Sequence, residues 1–171
     1  MLRTPITLAA AALAAALALT ACGPIRMGSA AILGNKQIST ATLTAEVSNL
    51  DTAYQAGHRK IQLQFTASEM PQEVLSWLLR FRVQDHLAAR EGITVTDAEV
   101  KGALAAASAQ AKQSGATLKD LAVANGLPPD QLQELGRYQA IESLLILRLN
   151  GGKLPTSATS SAIWRPHGRR P

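Results

Sequence analysis

Apolar positions along the chain recur mostly at helical spacing. Leu43, Val47, Leu50 and Tyr54 fall at i, i+4, i+7 and i+11, which predicts a helix from Ser39 or Thr40 to about Ala56, with Gly57 just past its end. Val74, Leu75, Trp77, Leu78, Leu79, Phe81, Val83 and Leu87 spread over most of the circumference of the next helix, which Pro71 opens and Gly92 stops. A helix of that kind is either central or partly open to a partner. Thr96-Asp97-Ala98-Glu99 is a capping box and places a third helix over about Asp97 to Ser114, closed by Gly115. Thr117 caps a short helix that ends at Asn125-Gly126. Pro128-Pro129 opens a last long helix that Asn150-Gly151-Gly152 stops. Ahead of them, Ala30 to Leu33, the turn dipeptide Gly34-Asn35 and Lys36 to Ile38 predict a short two-stranded hairpin. Ile61, Leu63 and Phe65 alternate with Gln62 and Gln64, which fits a strand, a loop or a helix start. The fold class is therefore mainly α: one small helical domain over residues 30–152 with a hairpin at its start. The composition agrees, being 47% hydrophobic and rich in Ala and Leu, with only six aromatic side chains.

The two ends follow other patterns. Arg3 precedes an apolar, Ala-rich run of 14 residues, Ile6 to Leu19, and then comes Leu19-Thr20-Ala21-Cys22. The run is shorter than the ~20 residues a spanning helix needs and has the form of a secretory signal. The four residues resemble the lipobox of bacterial lipoproteins. That resemblance implies cleavage between Ala21 and Cys22 and a diacylglyceryl thioether on the Cys22 thiol. Residues 1–21 are then a signal peptide and 22–29 a tether. The first partner expected is a lipid bilayer, with the chain on the extracytoplasmic face of the cell membrane. Residues 153–171 hold Ser, Thr, Pro and Arg with few apolar side chains, a composition expected to be a disordered basic tail.

Charge narrows the function. Asn35 to Lys153 carries 12 basic and 12 acidic residues, so the formal +5 comes from Arg3, Arg26, Arg165, Arg169 and Arg170 at the ends. A neutral body is no nucleic-acid surface. Leu118 to Leu135 has helix-turn-helix spacing, but Asp130 and Glu134 would face the phosphates, so no nucleic acid is expected. Cys22 is the sole cysteine, which excludes a disulfide framework and a Cys-based zinc site. His58, His86 and His167 are scattered, and no G-x-S-x-G, H-E-x-x-H or phosphate-cradling loop occurs. No enzyme activity, cofactor or metal is expected. Glu69 and Glu73 suit a helix start through the helix dipole.

Three stretches carry a family resemblance. Gly28 to Leu43, Arg90 to Val100 and Gly126 to Leu132 resemble, in order, the opening, the "GI-x-V-(S/T)-D-x-E-V" step and the start of the final helix of SurA-type and PrsA-type envelope foldases. The whole is similar to lipoproteins with a SurA amino-terminal domain. The resemblance implies a helical chaperone domain that binds unfolded or extended envelope polypeptides. A parvulin prolyl-isomerase domain, frequent in that family, has no room among these residues, and isomerase activity is not expected. Tyr54, Trp77, Leu78 and Phe81 are the candidate peptide contacts, and the same residues equally suit a core. The alternative function is a structural lipoprotein that docks one folded envelope partner.

Overall fold

The computed structural model describes residues 28–34, 36–57 and 61–150. The expected leader, the expected cleavage and lipidation at Ala21–Cys22, most of the expected tether and the expected basic tail lie outside them. Strands β1 (Ser29–Leu33) and β2 (Lys36–Ser39) form an antiparallel hairpin that pairs Ala31 with Ile38 and Leu33 with Lys36. Five helices follow: α1 (Thr40–Gly57), α2 (Met70–Arg90), α3 (Asp97–Gln113), α4 (Leu118–Ala124) and α5 (Leu132–Leu149). The chain is thus mainly helical with a short hairpin near its start. No helix among the described residues is long and apolar enough to cross a membrane.

Local chemistry sets the boundaries. Thr96 Oγ1 accepts the Glu99 backbone N–H while the Thr96 backbone N–H donates to the Glu99 carboxylate at 2.7 Å. Thr117 and Asp120 repeat the arrangement at the start of α4. These reciprocal bonds satisfy N–H groups that the first helical turn leaves free. The Thr66 backbone N–H donates to Glu69 in the same way just ahead of α2, so Glu69 acts by a direct hydrogen bond besides the helix dipole. Gly92, Gly115 and Gly126 all adopt positive φ after helix ends. At the end of α1 the boundary differs by a residue. Gly57 belongs to α1 rather than following it, and Ile61 packs so close that a Cβ there would lie 2.6 Å from the Ile61 Cδ1.

The segment with strand-like alternation is an extended loop. Its Gln64 N–H donates to Ala124 O at 2.9 Å, and no partner strand continues the ladder. Ile61, Leu63 and Phe65 still point inward, so alternation here reports burial rather than a sheet.

Two clusters make the core, and α2 contributes to both. Met70 and Val74 join Leu50 of α1, Ile61, and Val123 and Ala124 of α4. Trp77 and Phe81 join Ala122, Leu127 and Leu135. On its far side α5 lies along α3, where Gly136 receives Leu104.

Candidate functional site

Helix α2 has two apolar faces with different fates. Met70, Val74, Trp77, Phe81 and Ala88 are buried. Ser76, Leu79, Arg80, Val83, Gln84 and Leu87 recur at i, i+3, i+4, i+7, i+8 and i+11, so they share a second face. With Tyr138 of α5 they line an open groove of about 340 Å³. Val83 is 50% exposed, one of three large apolar side chains so exposed among the described residues.

Tyr138, the one ring that lines the groove, is held in a buried aromatic cluster. Trp77 packs against Phe81 at 5.8 Å between ring centroids and edge-on to Tyr138 at 6.4 Å, and Phe81 meets Tyr138 at 6.0 Å. The Trp77 indole N–H donates to Asn125 O at 2.8 Å, which satisfies a polar group in an apolar setting. Gln84 Nε2 donates to Tyr138 O at 2.8 Å, and Arg137 Nε donates to Asp85 Oδ1 at 3.0 Å. The Arg80 guanidinium lies over the Trp77 ring, 4.9 Å from its centroid. Burial and then the charge of Glu142 push the Tyr138 hydroxyl above its ordinary pKa, while Arg80 opposes them. Burial likewise pushes the Glu142 carboxyl up.

Of the four residues named either as peptide contacts or as core, the structure places two in the core and two at its edge. Trp77 (5% exposed) and Phe81 (7%) are core residues and cannot meet a guest directly. Tyr54 and Leu78 are half-buried against the first core cluster. The reason is area: with six aromatics in the chain, the largest rings are needed to fill the space between α2, α4 and α5. The apolar face left partly open is aliphatic instead, built from the half-buried Leu79 and Leu87 around the exposed Val83. Its signal was the excess of apolar residues around α2, more than one buried face can use. Tyr138, on another helix, had no such signal.

A second polar feature lies where α1 meets the turn that opens α5. Glu46 is 9% exposed and the one buried charged side chain among the described residues. Its Oε1 accepts from Gln131 Nε2 at 2.8 Å, while its Oε2 has no partner. Asn49 Nδ2 donates to Asp130 Oδ2 at 2.9 Å. Burial first, and then the charge of Asp130, raise the Glu46 carboxyl above its ordinary pKa.

The chain is thus a helical domain with a hairpin at its start, whose central helix keeps Val83 half-exposed beside an open groove. Residues 3–145 match the SurA-like N-terminal domain, and the chain belongs to that family. The match identifies a chaperone-type domain and no catalytic domain. No curated protein and no solved structure matches the chain.

Proposed function

We propose that the chain is a membrane-tethered, chaperone-like module that holds unfolded or extended envelope polypeptides in the α2–α5 groove. The observation that carries this is the row Leu79, Val83 and Leu87, with Val83 half-exposed at its centre, lining an open groove beside Tyr138, whose ring is packed against Trp77 and Phe81. An extended apolar segment gains about 25 cal/mol per Å² of apolar area it buries there, and Ser76, Gln84 and Arg80 supply polar edges for its backbone. Family membership supports polypeptide clients as the guests.

The anchor is the Cys22 thiol carrying a diacylglyceryl group, with residues 22–29 as spacer and the domain on the extracytoplasmic side. Two long acyl chains, at about 0.8 kcal/mol per buried CH₂, hold a protein on a bilayer durably. The Leu19-Thr20-Ala21-Cys22 pattern after an apolar leader supports it.

The test is suppression of aggregation of a chemically unfolded client by the protein and by Val83→Glu. The parent should suppress it at substoichiometric levels, and Val83→Glu should lose most of that effect while staying folded by circular dichroism. Equal behaviour of the two proteins, or capture of a single folded partner in cells by crosslinking, would replace this reading with docking to one specific envelope protein. Cys22→Ser should move the protein out of the membrane fraction.

A further inference from the structure

We propose that the groove has a resident guest, the chain's own carboxy-terminal segment, with Ile163 and Trp164 seated against Leu79, Val83 and Leu87. The inference rests on the groove being a peptide site, and it adds regulation: a client must displace the segment.

Position comes first. Contacts advance in the same order along α2 and α5, from Gln84 with Tyr138 to the far end, where Arg148 Nη1 donates to Glu91 O. The chain therefore leaves α5 at Asn150 beside Glu91, one helical turn beyond Leu87, where the groove ends. Ser76 to Leu87 spans about 17 Å at 1.5 Å per residue. The 14 residues from Asn150 to Trp164 reach up to about 45 Å when extended, so Trp164 can lie anywhere along the groove with length to spare.

Chemistry comes second. Past Asn150 the large apolar residues are Leu154, Ile163 and Trp164, and Arg165, Arg169 and Arg170 follow directly. The groove offers aliphatic walls and one aromatic edge, and its volume suits a large ring. Beside Tyr138 stands Glu142, half-buried, whose carboxyl is raised by burial and receives no hydrogen bond from the described residues. The ring matches the apolar wall, and the guanidinium groups after it suit the Glu142 carboxylate beside Tyr138, with Arg80 of the groove as the opposing charge.

The test uses the full chain with a photo-crosslinking amino acid replacing Trp164. Illumination should join position 164 to the α2 segment Leu79–Leu87 of the same chain, with a yield unchanged on dilution and reduced severalfold by Val83→Glu. A crosslink between copies only, to other elements only, or to anionic phosphatidylglycerol vesicles in place of α2 would overturn the proposal. A second measurement uses a labelled peptide of residues 158–171. At an effective concentration of ~1 mM for an attached segment, and ~0.1 mM affinity for the free one, the double variant Ile163→Ser/Trp164→Ser should bind it about tenfold tighter than the parent. Equal affinities without an intrachain crosslink overturn self-occupancy and leave the groove as a client site. An intrachain crosslink in a protein that protects no unfolded client overturns the proposed function and leaves this inference standing.

Discussion

Helix α5 meets its two long neighbours in opposite ways. Toward α3 the contact sets a large side chain on a missing one: Leu104 of α3 is seated where a Cβ on Gly136 of α5 would be. Toward α2 it is made of rings, with Trp77, Phe81 and Tyr138 stacked at angles. The missing Cβ lets the Leu104 side chain come down onto the α5 backbone and fill the space between the two helices. Rings hold backbones apart, and above the rings a groove stays open. One side of α5 is a closed seam and the other borders an open shelf.

That contrast can be broken by mutation, and the largest effect is expected under the shelf. Trp77→Ala removes the central ring and leaves Asn125 O without its donor, a loss of about 3–5 kcal/mol, which is a large part of the ~5–15 kcal/mol that keeps a domain folded. Urea denaturation followed by circular dichroism measures it. Next comes the seam. Gly136→Ala places a Cβ 2.6 Å from Leu104 Cγ and should cost about 1–3 kcal/mol by overpacking. If the thermal midpoint of Gly136→Ala matched the parent, the seam would be looser than its geometry says.

The third expectation concerns pH. Glu46 is held protonated more readily in the fold than in the unfolded chain, by burial and by Asp130. Its contribution to stability is therefore complete below about pH 4.3, the ordinary glutamate value, and is lost as pH rises through the raised folded-state value. Glu46→Gln should gain about 1 kcal/mol at neutral pH, where the parent carries a buried carboxylate oxygen without a partner, and nothing near pH 4. Paired urea titrations at the two pH values decide it. The smallest effect on stability belongs to the shelf's rim. Val83→Glu, at a half-exposed position, should change stability by no more than about 0.5 kcal/mol while weakening peptide binding, read by Trp77 fluorescence. A stability loss as large as that of Gly136→Ala would mean that Val83 belongs to the core.

Much of this architecture is written locally. Thr96, Glu99, Thr117 and Pro71 announce helix starts because capping is chemistry between neighbours, and Gly92, Gly115 and Gly126 announce stops because a positive φ selects glycine. The excess of apolar residues on α2 showed that this helix has more than one apolar face, though not which one is covered. That choice is made by residues far away in sequence. Asn125 fixes Trp77, and Tyr138 closes the ring cluster. Glu46 was opaque for the same reason: a glutamate on a helix looks solvated until Gln131 and Asp130, some 85 residues on, are brought over it. The alternation at Ile61, Leu63 and Phe65 is the converse case, a strand-like pattern without a partner strand.

The polar ties between α2 and α5, from Gln84 through Arg137 to Arg148, have an energetic corollary. They fix the receiving wall before anything arrives, so nearly all the ordering entropy of an encounter falls on the arriving chain. For the proposed guest, a wall already in place lowers the protein's own share of that cost and so strengthens the grip.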